Sequence, residues 1–146
     1  MTDRAVIVGR DGRAKAYRPL PADEREAAVA AGLAAYDRGD FFDSHELLEP
    51  AWMGTPDLAE RAVLQGLIKV AAAYVHGDRG NPAGIVRNLT GARRLLQEAR
   101  DTGPARNVAG VDLVELLAAI DARLVDLADH PSGPTLDPPD LRRSVS

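Results

Sequence analysis

The chain has 146 residues, enough for one domain. A globule of that size buries roughly 68–70% of its unfolded surface, so it needs no covalent staples. Cysteine is absent, which excludes disulfides, thiolate nucleophiles and thiolate metal sites and fits a cytoplasmic protein. A net charge of −4 disfavours nucleic acid as a partner. The N-terminus has no long apolar stretch of the signal-peptide kind, and no apolar run reaches the ~18 residues of a membrane span.

Residues 1–20 differ in texture from the rest of the chain. Ala5-Val6-Ile7-Val8 is β-prone, Asp11-Gly12 is a turn signal, and Arg13–Tyr17 suits a return strand. The expected structure is a short extended or hairpin-like arm lying on a helical body. An isolated hairpin is marginal unless it packs on something.

The body, residues 21–130, reads as five helices. The first runs from about Pro21 to Arg38 with Val29, Leu33 and Tyr36 as its apolar stripe and Gly39 at the C′ position. Gly32 inside that stripe implies a close helix approach. The second runs from Phe41 to Met53, with Asp40 as N-cap and Gly54 as terminator. Thr55-Pro56-Asp57 restarts the chain, with Thr55 as N-cap and Pro56 at N1. The third helix ends near His76-Gly77. Its apolar residues, Leu64, Leu67, Ile68, Ala71, Ala72 and Val75, surround much of the circumference, so it should be central. That all-round apolar character also leaves room for a homodimer. Asn81-Pro82 repeats the cap signature and opens a fourth helix that ends near Thr102-Gly103. The fifth runs from about Val111 to Ala128 and stops at His130-Pro131. Residues 131–146, rich in Pro, Ser and Arg, read as a flexible tail. The fold class is therefore all-α, a bundle of about five helices with an N-terminal arm.

The chemistry concentrates on the second and third helices. His45, Glu49 and Trp52 lie at i, i+4 and i+7 and share a face. On the third helix Arg61, Gln65 and His76 fall near one face. If the two helices pair antiparallel across the short turn at Gly54, Trp52 comes near Arg61 and Glu49 near Gln65. The result is a polar seam of His45, Glu49, Arg61 and Gln65 walled by Trp52, with His76 near the Phe41 end. Such a seam would bind a small polar ligand or a protein partner.

The run Gly39-Asp40-Phe41-Phe42-Asp43-Ser44-His45-Glu46-Leu47-Leu48-Glu49-Pro50-Ala51-Trp52 resembles the signature of DUF309, a family of small helical proteins of unknown function. Arg61–Ala71 with Tyr74 and His76, and then Arg79-Gly80-Asn81-Pro82-Ala83-Gly84, resemble that family's later motifs. The resemblance spans roughly residues 30–100 and implies an all-α fold. It marks His45, Glu46, Glu49, Trp52, Arg61, Gln65, His76 and Asn81 as motif positions and carries no chemistry. After Asn81, both Gly84 and Gly91-Ala92 fit the Gly-Ala position expected of the family. The arm lies outside the resemblance.

Each sharp reading has a plain competitor. His45-Glu46-Leu47-Leu48-Glu49 is similar to the His-Glu-x-x-His helix of metalloproteases, with glutamate at the second ligand position. Zinc held by His45, Glu49 and His76, with Glu46 polarising a bound water, would make a metal-assisted hydrolase, and a carboxylate–histidine pair with Glu46 or Glu49 as base would make an acid–base one. Against this, the antiparallel pairing sets His76 about two turns from His45, and Glu46 points roughly 100° away around the helix. The favoured reading has no cofactor and makes His45–Glu49 a buried pair balanced by Arg61. Asp40 and Asp43 serve as ligands or, more simply, favour the helix dipole. Trp52 stacks on a ligand or lids the core with its indole N–H on a carbonyl. Arg87, Arg93, Arg94 and Arg100 on the fourth helix would suit phosphate or RNA, but Glu98 and Asp101 dilute the patch.

Overall fold

The computed structural model describes residues 6–8, 14–16, 19–102, 110–131 and 137–141. Strands β1 (Val6–Val8) and β2 (Ala14–Ala16) pair antiparallel with Ile7 opposite Lys15. The expected turn at Asp11-Gly12 lies outside the described residues. Five helices complete the fold: α1 (Ala22–Asp37), α2 (Phe41–Met53), α3 (Leu58–Asp78), α4 (Pro82–Asp101) and α5 (Leu113–Asp129). The all-α reading holds, and α2 has the bounds that its flanking signals predict.

The local reasons are visible at each helix end. α1 opens after Pro21 with Asp23 and Glu24 in its first turn, where the helix dipole favours negative charge. It closes at Arg38, and Gly39 then takes φ +82°, a conformation that costs glycine nothing. Asn81 caps α4, its side-chain oxygen accepting from the Gly84 N–H at 3.3 Å, with Pro82 at the first helical position.

Two caps differ from expectation. Asp40 occupies the cap position of α2, but its carboxylate sits 3.3 Å from Arg38 Nε and makes no capping bond. Thr55 does not cap α3. Its hydroxyl donates back to the Ala51 carbonyl at 2.6 Å and closes α2, a local bond that threonine makes readily. The cap is Asp57, whose carboxylate accepts from the Glu60 N–H at 2.9 Å, so α3 starts two residues later than Thr55-Pro56 suggested. Asp57→Ala should therefore lower stability by about 1 kcal/mol, and Asp40→Ala by clearly less. Urea unfolding of the two variants side by side checks the assignment.

Successive helices pack on one another, and α3 lies between α2 and α4. It is buried almost all round, from Val63 and Leu64 through Leu67 and Ile68 to Val70–Tyr74. Glycines set the helix separations. A Cβ on Gly32 of α1 would fall 2.6 Å from Leu48 Cγ of α2, so the close approach implied by Gly32 is real. Gly66 of α3 faces Leu96 of α4 in the same way, at 2.8 Å. No helix among the described residues is long and apolar enough to cross a membrane.

The polar composition of 131–146 suggested a flexible tail. Residues 137–141 instead lie on the helical body. Leu141 is 1% exposed and joins the core, and the Pro139 carbonyl accepts a 2.7 Å hydrogen bond from the Tyr36 hydroxyl. Composition weighs the many polar residues of the segment. It does not register one leucine and two well-placed partners on the body.

Candidate functional site

Helix α2 turns Ser44, His45, Leu48, Ala51 and Trp52 inward, the i, i+1, i+4, i+7, i+8 pattern of a buried helix face. His45 is 8% exposed. Its Nδ1 lies 3.4 Å from Glu46 Oε1 and its Nε2 lies 3.9 Å from Glu49 Oε2. These are ion-pair separations rather than short hydrogen bonds, and they count as ion pairs only when the ring carries its second proton. The two carboxylates differ in access, with the Glu46 side chain 56% exposed and that of Glu49 25%. Pro50 comes directly after Glu49 inside the helix. It has no N–H to give to the Glu46 carbonyl, so this turn of the helix lacks one backbone hydrogen bond next to the carboxylates.

The rest of the seam is spread more widely. Trp52 is buried, and its indole N–H has no hydrogen-bond partner among the described residues, contrary to the carbonyl contact expected for it. Arg61 donates from Nε to the Thr55 carbonyl at 2.9 Å and so holds the α2–α3 turn. Gln65 is half-buried on α3. His76 sits in the α3–α4 junction, with Nδ1 3.2 Å from Asn81 Nδ2 and its ring filling the space over Gly84. A methyl on Gly84 would overlap that ring. Among the described residues no three His, Cys, Asp or Glu side chains form a metal-holding group, so His45, Glu49 and His76 are not drawn together. The donor set does not fit the zinc site outlined from the sequence. On α4, Arg93 lies 3.1 Å from Asp121 and Arg100 lies 3.2 Å from Asp101, which leaves little of a basic patch.

A second cluster was not foreseen. At the end of the bundle where α1 and α3 finish, Tyr36 and Phe41 meet edge to face with centroids 5.3 Å apart. Phe41 and Tyr74 meet at 5.7 Å. Arg123 of α5 lies beside them. Burial pushes the Tyr74 hydroxyl up to about 12, with Arg123 pulling the other way. Tyr36 is raised further, by burial first, then by Tyr74 and by Asp140 and Asp137. The scarcity of aromatics was the only signal that could have flagged this cluster, because nothing in the sequence ties Arg123 to Tyr36.

These features define a small all-helical domain with a buried histidine–carboxylate group on its second helix. The model of the family described as a domain of unknown function, DUF309, matches residues 29–88, from α1 into α4. That match covers the stretch that holds the three motifs. The uncharacterized protein YpuF of Bacillus subtilis (strain 168) is similar, 36% identical over 58 residues that make up 40% of this chain and 33% of YpuF. The chain thus spans about a third of that relative's length.

Proposed function

We propose that the chain is a non-catalytic recognition module whose α2 surface takes the cationic group of a small polar ligand or of a protein partner. The observation that carries this reading is the strip Phe42, Glu46, Glu49 at i, i+4 and i+7. Phe42 is 58% exposed, and both carboxylates flank the buried His45. An amine or guanidinium would meet Glu46 and Glu49 while its aliphatic stem lies on Phe42. Trp52, Arg61 and Gln65 support the strip from the α2–α3 seam, and Arg61 does so through the Thr55 carbonyl. His76 belongs to the neighbouring α3–α4 junction in this reading. The competing hydrolase, with Glu46 or Glu49 as base and zinc on His45, has only the His45–carboxylate proximity in its favour.

Titration of the full chain with spermidine and with an arginine-containing peptide, followed by two-dimensional NMR, tests the proposal. Shifts should cluster on residues 42–52, and Glu46→Gln with Glu49→Gln should weaken binding tenfold or more, about 1.4 kcal/mol. Elemental analysis of untagged protein purified without chelator runs beside it. One zinc, manganese or iron per chain, lost in His45→Ala, would overturn the recognition reading in favour of the hydrolase.

A further inference from the structure

Helices α4 and α5 leave one shared face open. Arg93 of α4 pairs with Asp121 of α5 at 3.1 Å. The pair stands as far from the end of α4 at Asp101 as from the start of α5 at Leu113, the symmetric spacing of an antiparallel hairpin. Each member follows directly on a buried residue, Ala92 or Ile120, so each lies about 100° around its helix from the core line. Slightly further round, and exposed, lie Val86 and Thr90 on α4 and Val114, Ala118 and Val125 on α5. Val114 and Val125 are each 60% exposed, so this is an apolar strip turned to solvent. Beyond the strip the two helices carry opposite charge. Arg87 and Arg94 flank it on α4, exposed and without an ion pair among the described residues. Glu115, Asp126 and Asp129 flank it on α5. The apolar α3, which suggested a homodimer, is covered within the chain by α2 and α4, so any pairing surface lies elsewhere.

We infer that this face pairs with the same face of a second copy, α4 of each chain lying across α5 of the other about a twofold axis parallel to the helices. The charges select that arrangement. A twofold axis at right angles to the helices would lay α4 on α4 and α5 on α5, basic against basic and acidic against acidic, which is costly. The parallel axis keeps Arg93 level with Asp121 of the second copy. Arg87 then falls beside Asp126 and Asp129 of that copy, and Arg94 between its Asp126 and Glu115. An open cleft of about 220 Å³ lies on the same flank of α5, lined by Ala122, Arg123, Asp126 and Asp137. Its two carboxylates receive the incoming guanidinium, while Arg123 is already engaged by the Ala119 and Asp137 carbonyls. The face is about 25 Å long and two helices wide, roughly 500 Å² on each chain. A total of about 1,000 Å² is the lower end of specific interfaces, so the dimer forms at micromolar concentration and weakens with salt. The face shares no residue with the α2 strip, so the two readings stand or fall separately.

The test is sedimentation of the full chain from about 1 μM to about 1 mM, where a monomer–dimer equilibrium is expected. Ala118→Arg, at an exposed position in the middle of the strip, should weaken the dimer at least about tenfold. Arg87→Glu with Arg94→Glu should weaken it as much, and so should Glu115→Arg with Asp129→Arg. Mixing those two charge variants should restore a dimer holding one chain of each kind, because both of its α4-on-α5 contacts then join opposite charges. Every substituted position is exposed, so circular dichroism should show the wild-type helix content in each variant. A wild-type chain that stays monomeric at about 1 mM would overturn the inference and leave the face to a different protein. A dimer that Ala118→Arg leaves intact would overturn it as well, and so would charge variants that stay monomeric when mixed.

Discussion

Gly66→Ala is expected to lower stability by about 1–3 kcal/mol, whereas Gly91→Ala in the same interface should be neutral or stabilising by up to about 1 kcal/mol. Both glycines sit between α3 and α4, and both substitutions raise helix propensity equally. They differ in what the new methyl meets. At Gly66 it would fall 2.8 Å from Leu96 Cγ and Cδ2, and Leu96 is wholly buried with no room to retreat. At Gly91 it would fall 3.1 Å from Lys69 Cδ, the outer part of a flexible side chain. Relief at Gly66 therefore requires α3 and α4 to separate or Leu96 to leave its rotamer, and relief at Gly91 requires a torsion change. Gly32→Ala belongs with Gly66, because its methyl would meet the buried Leu48 at 2.6 Å. The two sites lie in different interfaces, so their costs should add to about 2–6 kcal/mol. That is a large share of the roughly 5–15 kcal/mol typical of a domain. Urea midpoints of the three single variants and of the Gly32→Ala, Gly66→Ala double variant decide it. A Gly66→Ala protein as stable as wild type would mean that α3 and α4 are not held at this separation.

Most of what was legible from the sequence is local. Gly39, Gly54, Asn81-Pro82 and His130-Pro131 punctuate the chain within one or two residues of the helix ends, because caps and breakers act through their own backbone. His45 and its carboxylates were legible for the same reason, being one and four residues apart on one helix. Where two local signals competed, the wrong one could be picked. Thr55 and Asp57 both suit a cap, and only the bond from Thr55 back to Ala51 decides between them. His76 was placed by helix pairing alone, which could not include α4. Gly84 and Asn81 of that helix region settle its surroundings. What escaped altogether is non-local. The bond from Tyr36 to Pro139 joins residues 103 apart, and Arg123 reaches Asp137 across a stretch that reads as plain polar tail. Periodicity places a side chain on a face of its own helix. It does not say which distant carbonyl that face will meet.

Stability should fall steeply above pH 10, and the fall should be carried by Tyr36 and Tyr74. In the unfolded chain a tyrosine loses its proton near pH 10. In the folded chain burial keeps both hydroxyls protonated, Tyr74 up to about 12 and Tyr36 beyond it. Above pH 10 the unfolded state therefore binds fewer protons than the folded one, and unfolding is favoured as pH rises. Below pH 10 this contribution is fully present and flat. It is lost from pH 10 upwards, until Tyr74 also ionises in the fold near 12. Each tyrosine adds a slope that is about half of 1.4 kcal/mol per pH unit at pH 10 and approaches that value by pH 11, so the pair should remove about 2 kcal/mol between pH 10 and 11. Tyr74→Phe should halve the slope. Tyr36→Phe should flatten it equally and, at neutral pH, also lose the bond to Pro139, a cost of about 1 kcal/mol. Denaturant unfolding at pH 9, 10 and 11, with tyrosinate absorbance followed in parallel, separates these effects. A wild-type slope no steeper than that of the double phenylalanine variant would mean that water reaches both hydroxyls, and hence that residues 137–141 do not cover Tyr36 in solution.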